Sequence, residues 1–66
     1  MKRVKKYYVS NVAGSRDLYV EQVYDHYELW WHGGQCMAKG GIFATIDEAV
    51  NAIIDTYGYK NVLEVW

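Results

Sequence analysis

The stretch Thr45–Gly58, TIDEAVNAIIDTYG, decides the fold because it contains the one clear helix start in the chain. Thr45 and Glu48 form a capping box, in which the Thr45 hydroxyl accepts the Glu48 amide and the Glu48 carboxylate accepts the Thr45 amide. Apolar residues then recur at helical spacing, and Gly58 is a natural C-terminal stop. The pattern predicts an amphipathic helix over about 46–57, with one face lying on a sheet.

Three segments before this helix have the composition of strands, with β-branched and aromatic residues in loose alternation. They are residues 3–10, 18–24 and 27–31. Turn-forming residues at 11–17 predict a loop between the first strand and the second. Asp25–His26 either forms a tight turn or lets the second strand continue into the third.

Two glycine pairs punctuate the segment between these strands and the helix. Gly33–Gly34 suits a two-residue hairpin turn, because both central positions of a type I′ turn need a positive φ. A fourth strand is predicted from about Gln35 to Phe43, with a bulge or bend at Gly40–Gly41. Alternation in NVLEVW, residues 61–66, predicts a last strand after the helix.

The order β-β-β-β-α-β predicts a single α+β domain over 1–66. We expect an antiparallel β-sheet of three to five strands, packed on one face by a single α-helix. The other face of the sheet is left without a cover. With one cysteine in 66 residues the chain cannot form an internal disulfide, so we expect its three Trp, seven Tyr and one Phe to provide much of the packing.

The charges divide the chain into a basic start and an acidic body. Four of the seven basic residues lie within Lys2–Lys6, whereas residues 7–66 carry three basic and eight acidic side chains, a net charge of −5. Asp17, Glu21 and Asp25 are four residues apart, so an extended strand would place them on one face, with Glu28 on the opposite parity. An acidic surface of this kind speeds association with a basic partner.

Candidate sites for chemistry are few. His32 and Cys36 are a possible nucleophile pair, but they flank the predicted hairpin turn and no third group orients the histidine. His26, His32 and Cys36 lack the paired short spacings of a structural zinc site. GGQCMAKGG, residues 33–41, lacks the final Gly-Lys-Ser/Thr of a phosphate loop. The sequence therefore predicts a non-enzymatic protein with no catalytic residue, cofactor or metal.

Aromatic residues on the predicted strands point to a binding role. Trp30 and Trp31 are adjacent, so they project to opposite faces of a strand, and a single helix covers only one face. Tyr and Trp are the residues most enriched at protein-binding hot spots. The predicted partner-binding residues are Asp17, Glu21, Asp25, Glu28, Tyr19, Tyr24, Trp30 and Trp31.

The segment Lys39–Ile53, KGGIFATIDEAVNAI, resembles the strand-to-helix corner of AP2-type and integrase arm-type DNA-binding domains. Those domains read Gly-x-Phe-x-Thr followed by an acidic-Glu-Ala helix start. The matching residues are Gly41, Phe43, Thr45, Glu48 and Ala49. The resemblance implies a small DNA-binding domain, in which the basic strand Lys2–Lys6 contacts phosphates. Where those domains have Arg and Trp on the sheet, this chain has Glu21, Glu28 and a Trp pair.

In its size, acidity and single domain the chain also resembles, by type only, the small inhibitor proteins of bacteriophages and mobile elements, such as anti-CRISPR proteins. This resemblance implies a stoichiometric inhibitor that docks on a host nuclease or another nucleic-acid-binding protein. We therefore predict a protein-binding inhibitor or adaptor of the phage anti-defence type. The alternatives are a DNA-binding domain and a homodimeric structural protein. No signal peptide or membrane span is evident, which predicts a cytoplasmic protein.

Overall fold

Six antiparallel strands and one helix make up the computed structural model, which describes residues 1–66. The strands are β1 (Lys2–Val9), β2 (Asp17–Val23), β3 (His26–Trp31), β4 (Gly34–Gln35), β5 (Ile42–Phe43) and β6 (Val62–Glu64), and the helix is α1 (Ile46–Tyr57). The strands lie in the order β4-β3-β2-β1-β6, and β5 pairs with β3. The predicted α+β fold, with one helix on one face of an antiparallel sheet, is confirmed, but the sheet has six strands where three to five were expected. The additional strand arises because the predicted fourth strand is divided into β4 and β5.

The core lies between α1 and one face of the sheet, which we call the covered face. Strand alternation sends every second side chain of β1, β2 and β3 to this face, where the register aligns Val20 with Leu29 and Leu18 with Trp31. Helical spacing brings Ala49 and Ile53 down onto them. The buried cluster comprises Tyr7, Val9, Leu18, Val20, Leu29, Cys36, Ala49 and Ile53. The opposite face has no helix on it, and we call it the open face.

Helix α1 has the predicted bounds, with one correction to its cap. The Glu48 amide donates to the Thr45 hydroxyl at 3.1 Å, as the capping box requires. The Glu48 carboxylate, however, accepts the amide of Ala44 at 3.1 Å and not that of Thr45. Thr45 is fully extended, so the carboxylate reaches one residue further back along the incoming chain. Gly58 ends the helix at φ +89° and donates its amide to the Ile54 carbonyl at 2.8 Å.

The turn between β2 and β3 lies one residue earlier than predicted. Val23 pairs with His26, so Tyr24 and Asp25 form the two-residue loop, and the alternative of one continuous strand is wrong. Tyr24 has a φ of +56°, in the left-handed region that glycine favours. This turn reverses the chain and fixes which residues of β2 and β3 face each other.

The turn between β3 and β4 is also shifted from its predicted place. Gly34 already pairs with Trp31, so the loop consists of His32 and Gly33. Neither residue has a positive φ, so the predicted type I′ turn is wrong. Gly33 stands in open space and adopts a backbone conformation that other residues reach equally well.

The predicted fourth strand is broken into two short pieces that both pair with β3. The Cys36 amide donates to the Leu29 carbonyl at 2.9 Å, and the Leu29 amide donates to the Gly41 carbonyl at 3.2 Å. Between these bonds the chain leaves the sheet in a 3₁₀ turn over Ala38–Gly40 and returns. Lys39, Gly40 and Gly41 all have positive φ, which explains why the predicted bend is a full excursion.

Candidate functional site

Two of the predicted partner-binding residues lie buried in the middle of the open face. Tyr19 and Glu21 project away from the helix, yet both are buried. The Arg3 guanidinium stacks 3.9 Å above the centre of the Tyr19 ring, and its Nε lies 3.3 Å from a carboxylate oxygen of Glu21. Trp66 packs against the same ring, with 5.9 Å between ring centroids. Residues from both ends of the chain therefore cover this part of the open face.

The prediction that Glu28 has the opposite parity to Glu21 is wrong. The two-residue turn at Tyr24–Asp25 makes Glu28 the direct cross-strand partner of Glu21, on the same open face. Like charges in such a position destabilise a sheet unless each has its own partner. Glu21 is paired with Arg3, as described above. Glu28 accepts hydrogen bonds from His26 Nε2 at 2.8 Å and Trp30 Nε1 at 2.9 Å.

These contacts shift two ionisation equilibria at the base of the hairpin. The hydrogen bonds from His26 and then Trp30 hold the pKa of Glu28 below its usual range. The hydrogen bond to Glu28 raises the pKa of His26, and a weaker contact to Asp25 at 3.4 Å acts in the same direction. His26, Glu28 and Trp30 thus form a hydrogen-bonded cluster at the start of β3, which we call the polar clamp.

The tip of the β2–β3 hairpin is the most exposed part of the predicted site. The Tyr24 side chain is 95% exposed, and the Asp25 carboxylate is 99% exposed. Tyr24 has its φ of +56° at a position where a side chain other than that of Gly, Asn or Asp is uncommon. The tip thus presents an aromatic ring and a carboxylate side by side, above the polar clamp.

The tryptophan pair divides between the two faces as predicted. Trp31 lies on the covered face and meets the edge of the Tyr57 ring, with 5.7 Å between ring centroids. Trp30 lies on the open face, where Glu28 holds its indole N–H. Both side chains are half-buried. Asp17, at the start of β2, is half-buried and forms no ion pair.

The basic start of the chain is partly neutralised within the fold. Arg3 is paired with Glu21, and Lys5 Nζ lies 3.4 Å from a Glu64 carboxylate oxygen. Lys6 Nζ lies 5.7 Å from the centre of the Tyr19 ring. Lys2 is exposed and Lys6 half-buried. Only these two of the four basic residues in Lys2–Lys6 are without a carboxylate partner.

His32 and Cys36 are not brought together as a reactive pair. Cys36 is buried in the core, where its Sγ lies 3.4 Å from the Tyr57 hydroxyl. Burial, together with this contact, raises the pKa of Tyr57 above its ordinary value. His32 is exposed in the turn and its side chain makes no hydrogen bond. No group of three or more His, Cys, Asp or Glu is arranged to hold a metal ion.

Some exposed residues were not included in the predicted site. The outer side of α1 carries the exposed acids Asp47 and Asp55, and β6 exposes Leu63. The exposure of Leu63 could be predicted from the alternation of NVLEVW. Val62 and Glu64 face the helix, so the residue between them projects to the open face. The outward position of the helix acids follows from the apolar stripe on the other side of α1.

Comparison of the chain with protein-family models, with curated proteins and with solved structures finds no match. No helix of the fold has both the length and the apolar character needed to span a membrane. A functional proposal therefore depends on the geometry of this chain's own residues.

Proposed function

We propose that this chain is a non-enzymatic protein-binding module, an inhibitor or adaptor that docks through the tip of its β2–β3 hairpin. The binding residues are Tyr24 and Asp25 at the tip, with Trp30 and Glu28 behind them on the open face. Tyr19 and Glu21 support this surface from beneath and do not contact the partner. The kind of protein that fits best is a stoichiometric inhibitor of the phage anti-defence type.

The single observation that carries the proposal is the conformation of Tyr24. A left-handed backbone costs an L-residue other than glycine about 1–2 kcal/mol. The tyrosine ring is 95% exposed, so it recovers none of this cost by packing within the fold. Folding alone would favour Gly or Asn at this position. A tyrosine here is explained by a contact outside the chain, since Tyr is among the residues that contribute most to protein interfaces.

The surroundings of the tip suit a docking surface that is already ordered. His26 and Trp30 hold Glu28 by two hydrogen bonds, so β3 begins from a fixed polar base. Ile42 pairs with Glu28 and is 58% exposed on the open face, which adds an apolar contact next to this base. Side chains that are ordered before binding lose less entropy when a partner docks.

The charge of the surface indicates the chemistry of the partner. Asp25 at the tip and the exposed Asp47 and Asp55 on α1 have no Lys or Arg partner. Beyond the basic start, residues 7–66 carry a net charge of −5. Such a surface associates fastest with a basic groove. A nuclease or another nucleic-acid-binding protein has a groove of this kind.

The DNA-binding alternative depends on the basic start of the chain. It requires Lys2 and Lys6 to contact phosphates, because Arg3 and Lys5 are already paired with carboxylates. An acidic body next to two free cations makes this the weaker alternative. It is nevertheless separable from protein binding by experiment.

The test is affinity capture from a bacterial lysate with the tagged protein, in which half of each sample is treated with nuclease. Tyr24→Gly removes the aromatic ring and relieves the strained backbone, so the variant folds at least as well as the parent. Tyr59→Ala is the matched control, because Tyr59 is also a highly exposed tyrosine, at 80%, but lies beyond the end of α1.

The proposal predicts a protein that survives nuclease treatment, is retained by Tyr59→Ala and is lost with Tyr24→Gly. Capture that is equal for all three proteins would contradict a role for the hairpin tip. Capture that disappears after nuclease treatment would favour the DNA-binding alternative. Lys2→Glu would then be the variant to compare.

A further inference from the structure

The glycines of the chain fall into two groups. Four of them have a positive φ, which explains why glycine occupies their positions: Gly14, Gly40, Gly41 and Gly58. The other two, Gly33 and Gly34, have no positive φ, and a Cβ at either position would meet nothing within 4 Å. Neither the backbone conformation nor close packing within the fold therefore requires glycine at positions 33 and 34.

These two glycines line one pocket of about 440 Å³, which we call the glycine pocket. Its other lining residues are Val12, Ala13 and Ser15 from the loop between β1 and β2, and Trp31 at the end of β3. The glycine pocket thus lies at the end of the sheet opposite the hairpin tip. Its volume is within the range of small-molecule sites, and glycine is favoured where a ligand approaches the backbone closely.

The register of β3 and β4 places Gly34 directly beside Trp31. The two residues are cross-strand partners, so a side chain at position 34 would lie on the same face of the sheet as the indole. Because the Cβ atoms of such partners are only about 4.5–5.5 Å apart, this side chain would cover part of the ring. With glycine there, the indole borders the pocket on one side and packs against Tyr57 within the fold.

Hydrogen bonds hold both walls of the glycine pocket in place. In the β1–β2 loop, Arg16 Nε donates to the Val12 carbonyl at 3.1 Å, and the Arg16 carbonyl accepts the Val9 amide at 2.9 Å. In the β3–β4 turn, the His32 amide donates to the Asp17 carbonyl at 3.2 Å. A pocket whose walls are already ordered loses less entropy when a ligand binds.

The lining of the glycine pocket indicates the chemistry of a ligand that would fit it. Aromatic rings pack favourably against an indole, in offset-stacked or edge-to-face arrangements. Two donors on lining residues make no hydrogen bond within the chain, the indole N–H of Trp31 and the hydroxyl of Ser15. None of the lining side chains is charged. These features together favour a neutral aromatic ligand that carries a hydrogen-bond acceptor.

We propose that the glycine pocket binds a small, neutral aromatic compound with a carbonyl group, whose ring packs against Trp31. The ring takes the place that a side chain at position 34 would occupy, and the backbone of Gly33 and Gly34 forms one wall of the site. The site is separated from Tyr24 and Asp25 by the full length of β2 and β3. The inference is therefore independent of the proposed function.

Titration of the isotope-labelled chain with benzamide, followed by NMR, tests the proposal. We expect a dissociation constant of roughly 1–10 mM for so small a compound. The largest chemical-shift changes are expected at the indole N–H of Trp31 and at the amides of Gly33 and Gly34. Cyclohexanecarboxamide carries the same amide group without an aromatic ring, and it is expected to bind roughly fivefold more weakly.

Two substitutions on β4 separate ligand binding from folding. Gly34→Val covers the indole and is expected to weaken benzamide binding by about tenfold or more, because its methyl groups occupy the place of the ring. We expect this variant to fold, since valine favours strands and position 34 has space for a side chain. Gln35→Val is the matched control, because residue 35 pairs with Trp30 on the open face, and it is expected to leave binding unchanged.

Melting temperatures of the two variants show whether a loss of binding reflects the pocket or the fold. If Gly34→Val melts far below the parent chain, the smaller substitution Gly34→Ala replaces it and is expected to weaken binding by an intermediate factor. Equal binding of the two amides, or benzamide binding that a folded Gly34 variant retains in full, would overturn the proposal. The absence of any shift at Trp31 with benzamide up to about 50 mM would also overturn it.

Discussion

The two hairpins with two-residue turns, β2–β3 and β3–β4, reverse the usual relation between glycine and turn geometry. The β3–β4 turn contains Gly33 but has no residue with a positive φ. The β2–β3 turn contains no glycine, yet Tyr24 adopts a φ of +56° there. The glycine thus lies where other residues would serve equally well, and an exposed tyrosine takes the conformation that glycine favours. The proposed function explains this difference by a contact between Tyr24 and a protein partner.

Another left-handed position, Gly41, shows what the fold itself demands. A Cβ at Gly41 would lie 2.7 Å from the Cys36 carbonyl oxygen, and its φ is +74°. Gly41→Ala therefore adds backbone strain to a steric clash, and we expect a loss of roughly 2–4 kcal/mol in the free energy of unfolding. Urea denaturation followed by circular dichroism measures it.

Gly40→Ala is the matched control for that substitution. Gly40 also has a positive φ, +92°, but a Cβ there meets nothing within 4 Å. We expect Gly40→Ala to lower the free energy of unfolding only by the cost of backbone strain, about 1 kcal/mol. Equal losses at the two positions would show that the close approach to Cys36 does not matter, and would weaken the contrast with Tyr24.

Gly33→Ala tests whether the β3–β4 turn requires its glycine. A Cβ at Gly33 meets nothing within 4 Å, and its φ is one that alanine adopts without strain. Restricting the unfolded chain at such a site stabilises a protein by about 0.4–1 kcal/mol. The same denaturation measurement checks this gain. A clear loss would mean that the β3–β4 turn needs its glycine after all, and the two turns would then not differ as described.

The smallest effect concerns the pH dependence of the clamp below the β2–β3 turn. The hydrogen bond to Glu28 raises the pKa of His26, so protonated His26 stabilises the folded chain. This contribution is complete below 6.5, the ordinary pKa of histidine, and is lost as pH rises through the pKa of His26 in the folded state. The lowered pKa of Glu28 has the opposite sense: its contribution is present above the ordinary value of 4.5 and is lost as pH falls. The hairpin is therefore most stable between these two values.

Melting temperatures measured as a function of pH isolate the contribution of the His26–Glu28 hydrogen bond to stability. Relative to His26→Gln, the parent chain is expected to lose melting temperature as the pH rises above 6.5. His32→Gln serves as the control, because His32 makes no side-chain hydrogen bond in the other turn, and it is expected to follow the parent. Identical pH profiles for the parent and His26→Gln would show that the polar clamp does not contribute to the stability of the chain.

Much of the fold follows from local sequence, whereas the site depends on contacts between distant residues. The capping box at Thr45 and the stop at Gly58 define α1 because helix ends are set within a few residues. The pairing of Glu21 with Glu28 depends on a turn that lies one residue earlier than the sequence pattern predicts. A shift of one residue in a hairpin changes which side chains meet on a face.

The burial of Tyr19 and Glu21 illustrates the same limit. Their cover comes from Arg3 and Trp66, at opposite ends of the sequence, and no local pattern contains that information. Tyr24 and Asp25 were predicted as binding residues from their residue types and remain exposed together at the hairpin tip. The strained backbone of Tyr24 was not predictable, because its residue type does not favour that conformation.

The most direct test of the central claim compares the free energies of unfolding of Tyr24→Gly and Tyr24→Ala. Both variants lack the ring, so the difference between them isolates the backbone conformation. The account predicts that Tyr24→Gly is the more stable of the two by about 1 kcal/mol, because only glycine is free of strain at φ +56°. If Tyr24→Ala is equally stable or more stable, position 24 carries no strain, and the argument that Tyr24 is retained for binding would be contradicted.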